Sequence, residues 1–357
     1  MASMSLARRF ALAAAVALAA LAGSLAIPHD RHIRWQDMRD EAWARLGWIY
    51  ERIHFDRTPI DIAFIGTSHT MNGVSGAAVR AALAAAGGGC QHVVNLSYPS
   101  YGRNLHWLIA RELLENRRVG TLVIEVFENE SRKAHPFFSS IAEVSDVLAA
   151  PAMINLNYLS DLAKLPARQV MLGLKTLMPE RFGLHRGFDP ARYDGADVDN
   201  TRQVQVGGVA LTPVRDTAPP RERLERAAAR ARARKDGNML GERLEALEYR
   251  FPRHYLDRIL ALAQQRGVAV KFLYLPSYAY VGGAPRDPSL YAGRGEMLAT
   301  GTLLADPGLW YDLDHLNMQG AALLSGALGG MLAGPQGVGV PPAGLPAACA
   351  PEVVAAK

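Results

Sequence analysis

The sequence predicts an α/β protein built on a parallel β-sheet that helices cover on both faces. Two observations carry that prediction. Short, nearly continuous apolar runs such as Ile60–Ile65 (IDIAFI) and Thr121–Phe127 (TLVIEVF) have the length of buried strands. Each is followed by a polar loop and then by a stretch with helical spacing, and this alternation belongs to parallel sheets. A third observation, an apolar leader, sets the sheet-bearing part outside the cytoplasm.

The elements follow in order. Arg8 and Arg9 precede an uncharged run from Phe10 to Ile27 that ends at Pro28, His29 and Asp30. A basic segment ahead of such a run reads as an export signal. Its length favours an uncleaved membrane anchor over 1–28, near the lower limit for a spanning helix. Ser24-Leu25-Ala26 is the small-residue cleavage site of the alternative, a removed signal peptide. With Arg8 and Arg9 held inside, the rest lies outside the cytoplasm. The expected location is the inner membrane, single-pass with the domain in the periplasm, or the free periplasm after cleavage.

A juxtamembrane helix is expected within 29–58, since Trp35, Met38, Ala42, Leu46, Ile49 and Ile53 recur three or four apart. The domain proper is expected over 59–333. It opens with the strand Ile60–Ile65, a helix over Val74–Ala86 stopped by three glycines, and a second strand, His92–Leu96. A Pro/Gly loop (Ser97–Gly102), a helix (Leu105–Asn116) and the strand Thr121–Phe127 come next. Tyr255–Gln265 reads as a helix and Val268–Leu275 as the fourth strand. A weaker final strand is expected just before Tyr311, and Met318–Leu332 closes the domain as a helix.

From Arg132 to about Arg250 the alternation stops, which predicts a helical or irregular insertion. Within it, Arg223, Arg226, Arg230 and Arg234 fall on one helical face. Such a face is either solvated or a contact for anionic glycan or lipid headgroups. The Pro/Gly/Ala-rich tail, 334–357, is expected to be disordered. A chain of 357 residues, 49% hydrophobic, is large enough for one domain with an insertion. The net charge of +5 owes much to the Arg-rich stretch, so it does not indicate nucleic acid as a partner. Cys90 and Cys349 are the only cysteines, and two unlinked thiols are the expected state although export permits a disulfide.

Ligands of an open parallel sheet bind beyond the carboxyl ends of its strands. Gly66-Thr67-Ser68-His69-Thr70 leaves the first strand, and a serine in such a turn is either exposed chemistry or a helix cap. Tyr98–Gly102 leaves the second strand, where Gly102 offers a bare backbone N–H or an ordinary turn. Glu128-Asn129-Glu130 leaves the third, where Asn129 is an amide donor or a turn residue. Near the C-terminus, Asp312 and His315 are spaced to meet on one side of a turn, as a base and its orienting carboxyl. A metal reading of this Asp/His cluster lacks a third ligand, so no metal and no cofactor are expected.

Two further groups stand nearby. Glu128, Glu130, Arg132 and His135 crowd the third strand's exit, as a sugar site or a solvated loop, the loop being favoured. Tyr278, Tyr280 and Tyr291 follow the fourth strand, where rings either stack on carbohydrate or pack on the domain edge.

The order of Ser, Gly, Asn and Asp-x-x-His over Ile60–Leu332 resembles the SGNH (GDSL-like) hydrolase superfamily. That resemblance implies a flavodoxin-like three-layer α/β/α sandwich and a triad of Ser68, His315 and Asp312. It also implies an oxyanion hole from the Ser68 and Gly102 backbones and the Asn129 side chain. Thr67 replaces the family's Asp, Phe127 stands where a Gly precedes the Asn, and Glu130 replaces the Asp after it. Anchored relatives resemble the O-acetyltransferases of envelope polysaccharides and the D-alanine transfer protein of teichoic acid systems. The implied function is acyl transfer to a cell-envelope glycan, with a multi-span membrane acyltransferase as donor partner. An O-acetyl esterase, or a non-catalytic assembly or glycan-binding protein, are the alternatives.

Overall fold

The computed structural model of the chain describes residues 5–37, 45–130, 132–152, 155–202, 204–206, 208–211, 216–234 and 241–334. Its helices and strands begin with α1 (Leu6–Leu25), α2 (Arg31–Gln36), α3 (Arg45–His54), β1 (Ile62–Ile65), α4 (Ser68–Gly73) and α5 (Gly76–Ala85). There follow β2 (Val93–Asn95), α6 (Arg103–Asn116), β3 (Thr121–Val126), α7 (Phe138–Ile141), α8 (Val144–Leu148) and α9 (Tyr158–Leu177). A hairpin of β4 (Val204–Val206) and β5 (Val209–Leu211) leads to α10 (Arg221–Ala233), α11 (Glu245–Glu248) and α12 (Arg250–Gln265). The chain then returns to the main sheet as β6 (Ala269–Tyr274) and β7 (Glu296–Ala299), and closes with α13 (Met318–Ala333).

The main sheet has five strands in the order β2-β1-β3-β6-β7, all pairs parallel. Counted within the sheet this is 2-1-3-4-5, the order of flavodoxin-like sandwiches and the topology of the SGNH fold. Period-two alternation sends each strand's residues to two separate cores. Ala63, Ile65, Leu122 and Ile124 face one, filled by Leu105 and Ile109 of α6 and Phe251 and Tyr255 of α12. Ile62, Phe64 and Val123 face the other, filled by Val79 and Leu83 of α5 and Leu324 and Leu328 of α13. Burial on both faces explains the continuous hydrophobicity of β1 and β3 and makes the three layers.

The juxtamembrane periodicity resolves into α2 and α3, with 38–44, including Met38 and Ala42, outside the described residues. Trp35, Trp48, Ile49 and Ile53 are buried in the first core, so this segment belongs to the domain. Arg45 is fully buried beside Trp48, its guanidinium 4.7 Å from the ring. It donates to the carbonyls of Asn95, Ser97 (2.8 Å) and Val198 (3.2 Å) and to Asn200 Oδ1. Burial pushes its pKa down to about 9. One side chain thus ties α3, the end of β2 and the insertion together.

Four expectations need correction. The first helix starts at Gly76, because Val74 is extended and the Ser75 hydroxyl caps the Ala78 N–H at 3.2 Å. The last strand is β7, well before Tyr311; its sequence, Glu-Met-Leu-Ala, has no β-branched or aromatic residue to mark it. Before Tyr311 the chain instead makes a 3₁₀ turn at Pro307–Leu309, and Trp310 only bridges to Leu316. The insertion contains a β-hairpin as well as helices. Cys90 is disulfide-bonded and no described cysteine is free, so the thiols are not unlinked; Cys349 and the rest of the tail, 335–357, lie outside the described residues.

Helix α13 reaches its tight seat on α5 through a glycine. A Cβ at Gly329 would lie 2.4 Å from Ala82 Cβ and 2.6 Å from the Leu83 nitrogen. Gly330, one residue on, is exposed with open space around it. Gly329→Ala should therefore lower unfolding free energy by about 1–3 kcal/mol through overpacking. Gly330→Ala should raise it by about 0.5–1 kcal/mol through helix propensity. Urea denaturation of the two variants checks both signs.

Candidate active site

The site is assembled at the carboxyl ends of β1, β2 and β3 together with the turn ahead of α13. After β1, Thr67 caps α4, its Oγ1 accepting from the His69 N–H at 3.3 Å, and Ser68 is the first residue of that short helix. Beneath this turn lies Glu125 of β3, 1% exposed. Its carboxyl accepts from Thr67 N–H (2.6 Å), Thr67 Oγ1 (3.0 Å), Thr70 Oγ1 (2.6 Å) and, more weakly, Thr70 N–H (3.4 Å). Gly66 is required here, since a Cβ would stand 2.1 Å from the same carboxyl.

Opposite, residues 310–317 form a compact turn. Tyr311 N–H donates to the His315 carbonyl at 2.8 Å, and Asp312 Oδ1 accepts from the N–H groups of Asp314 (2.8 Å) and His315 (2.7 Å). Asn317 caps α13 and holds the turn from below by donating to the Gly308 carbonyl at 2.6 Å. Both Asp312 oxygens lie 3.0 Å from His315 Nδ1, and His315 Nε2 lies 2.8 Å from Ser68 Oγ. Asp312 thereby assigns the proton to Nδ1 and leaves the Nε2 lone pair facing the serine hydroxyl. Burial alone would lower the His315 pKa, but the hydrogen bond and charge of Asp312, with Asp314 behind it, leave it above the usual imidazole value. Burial likewise works against the Asp312 carboxylate, and His315 outweighs it, so that pKa lies below the usual range.

The second loop is held by buried groups. His135 Nε2 donates to the Pro99 carbonyl at 2.7 Å, and its backbone presses on Gly102 so closely that a Cβ there would meet it at 2.5 Å. Burial lowers the His135 pKa to about 4, so it is a neutral donor. Gly102 has φ 152° and Ser100 φ 74°, the latter a left-handed conformation that strains a non-glycine residue. Among the described residues, no hydrogen bond is made by the backbone N–H of Ser68, the backbone N–H of Gly102 or the side chain of Asn129.

The other residues singled out in the sequence have structural partners. Glu128 accepts from Ser277 Oγ at 2.6 Å, Glu130 pairs with Arg103 and takes the Tyr291 hydroxyl at 2.5 Å, and Arg132 pairs with Glu248. These are cross-links between elements, which corrects the expectation of a solvated loop. Tyr291 is buried, while the hydroxyls of Tyr278 and Tyr280 bond to Glu225 and the Ala231 carbonyl of α10. On α10, Leu224 and Ala228 are buried and Arg223, Arg226 and Arg230 are exposed, as is Arg234 at its C-cap.

Sequence reasoning missed four residues around the serine. His69 stacks edgewise 5.6 Å from His315 and meets the Tyr101 hydroxyl at 3.3 Å. Phe127 packs 4.8 Å from Tyr101 and 6.0 Å from His69. Glu125 had a signal: it is the one charge within the apolar run Thr121–Phe127, and a buried charge needs partners.

A second cluster lies away from the strand ends, where His32 Nε2 and His185 Nε2 each approach Glu51 Oε1 at 2.8 Å. Burial opposes the Glu51 charge, but hydrogen bonds from His185, His32 and Tyr193 hold its pKa at about 2. His185 Nδ1 faces an Arg192 donor, so its lone pair is there and its proton is on Nε2. An imidazole in that tautomer has no lone pair for a metal beside Glu51, and the residues fit a hydrogen-bonded carboxyl better than a metal centre.

Glu125→Ala should destabilise the domain by about 1–3 kcal/mol for each donor left unsatisfied, while Glu125→Gln, which keeps the volume, should cost less. Chemical denaturation measures the difference. No protein-family model and no curated protein sequence matches the chain.

Proposed function

We propose that this chain is an extracytoplasmic serine acyl-transfer enzyme that moves an acetyl group onto hydroxyls of a cell-envelope polysaccharide. The observation that carries the reading is the unbroken relay from Asp312 through His315 to Ser68, with contacts of 3.0 Å and 2.8 Å. Ser68 Oγ attacks the acyl carbonyl as its proton passes to His315 Nε2, and that proton then leaves with the donor's alcohol or thiol. An acyl-serine ester remains. The acceptor hydroxyl gives its proton to the same nitrogen, attacks the ester and departs acylated, restoring Ser68. The unengaged N–H groups of Ser68 and Gly102 and the Asn129 amide are assigned to the oxyanion.

Ser68, Asp312 and His315 are each half-buried at the surface, which suits a polymeric acceptor that cannot enter a deep pocket. The same openness favours a second reading, hydrolysis of O-acetyl esters with water as acceptor. Helix α1 supports placement at the membrane: it is 20 residues long, has no buried residue, and is long and apolar enough to cross. In this reading 1–28 anchors the chain in the inner membrane with residues 59–333 in the periplasm, where a multi-span acyltransferase supplies the acyl group.

The purified full chain should turn over an activated acetyl ester and react with a serine-directed phosphonate at Ser68. Ser68→Ala should lose both; a folded wild-type protein that does neither overturns the catalytic reading. His315 must be neutral to accept the proton, so activity should rise with pH through an inflection above the usual imidazole value. In Asp312→Asn that inflection should move down and the rate should fall by roughly four orders of magnitude. Initial rates against pH for the two proteins test the assignment.

A further inference from the structure

The chain leaving α1 runs along one stripe of α9. Gln169 Nε2 donates to the carbonyls of Leu25 and Ile27, each at 3.4 Å, and the Asp30 N–H donates to Thr176 Oγ1 at 2.9 Å. Between them Ile27 packs on Gly173, where a Cβ would come within 2.8 Å of it. Gln169, Gly173 and Thr176 sit on successive turns, so the junction lies along α9 for two turns. The inward side of α9 buries Asp161, Leu165, Gln169 and Leu172.

The opposite side is open and mostly apolar, with Ser160 on it and Lys164 at its border. Leu159 is 77% exposed and Leu177 73%, with Val170, Met171 and Leu174 each above 40%. Ala163 and Ala167 fill the same exposed face between them. Most of the large apolar side chains exposed outside α1 fall between Leu148 and Met178. A helix packed on a water-soluble domain turns charges outward, and a contiguous apolar patch marks a contact. Arg181 and Arg186 are exposed just beyond the end of α9, where anionic headgroups would meet them.

We infer that the open face of α9 lies in the interfacial layer of the same bilayer that α1 crosses. This rests on the anchor reading of α1. Twenty residues of helix rise about 30 Å, the thickness of the hydrocarbon core. The end of α1 at Leu25 is fixed to α9, so α9 is held at the membrane surface with its apolar face toward the acyl chains, as interfacial helices lie. The occupant is lipid, because the patch begins on the stripe adjoining the one that carries the anchor's exit. The domain is then held at two places and cannot swivel about α1.

The test uses the full chain in vesicles of phosphatidylethanolamine and phosphatidylglycerol with brominated acyl chains. Leu174→Cys, Leu177→Cys and, within α1, Ala14→Cys are each labelled with an environment-sensitive maleimide dye; Cys90, being disulfide-bonded, does not react. The expected result is bromolipid quenching at all three labels, with loss of iodide quenching at 174 and 177. Quenching at 14 with aqueous behaviour at 174 and 177 overturns this inference and leaves the anchor standing; a proteinaceous partner on the face would give that outcome in the purified system. Aqueous behaviour at all three overturns both. Quenching at 174 and 177 but not at 14 upholds the α9 contact and overturns the spanning anchor.

Discussion

The structure depends on the carboxyl of Glu125, placed where β3 runs beneath the end of β1. A strand that stops inside a protein leaves polar backbone facing an apolar interior, and something must satisfy it. Here one side chain from the neighbouring strand accepts from Thr67 and Thr70 on both sides of Ser68. The serine's backbone is consequently determined by the β1–β3 pairing, which fixes Phe64 against Val123 and Ile65 against Ile124. Registry of the sheet becomes position of the hydroxyl. The tightness of the fit is visible in Gly66, the only residue type that clears the carboxyl.

The other two parts of the site are positioned by different means. The loop after β2 is locked from behind by Arg45 and His135, two buried donors aimed at its carbonyls. That restraint sustains the strained Ser100 and leaves the Gly102 N–H without a partner. The Asp312–His315 turn holds itself through its own backbone and the Asn317 cap, and is joined by the Tyr278 N–H, which donates to the Leu313 carbonyl at 2.8 Å. Rigid loops from the sheet thus face a self-contained turn, and the two meet only across His315 and its neighbours.

How much of this was legible in the sequence follows from how local each signal is. β1 and β3 are runs of Ile, Val, Leu and Phe, and burial on both faces leaves them no other reading. β7 has no β-branched or aromatic residue and takes its strand form from pairing with β6, so only tertiary context reveals it. Ser68, Gly102 and the Asp312/His315 pair could be named because strand-end loops in chain order carry chemistry in this fold class. Glu125 was equally visible, as a charge in TLVIEVF, but its purpose depends on what lies across the strand. His135 reads as one more polar residue at a strand exit; that it is buried under Pro99 follows from contacts no spacing encodes. The linked state of Cys90 is of the same kind.

Ser68 and His315 are 247 residues apart in sequence, and the turn that carries His315 is seated only when α13 packs on α5 and α4. A polypeptide delivered amino end first therefore shows Ser68 long before His315. Until the last helix docks, Ser68 is an ordinary alcohol. Under the proposed function, reactivity at Ser68 would report completed maturation of the whole domain, and a chain stalled or clipped before α13 would be chemically silent.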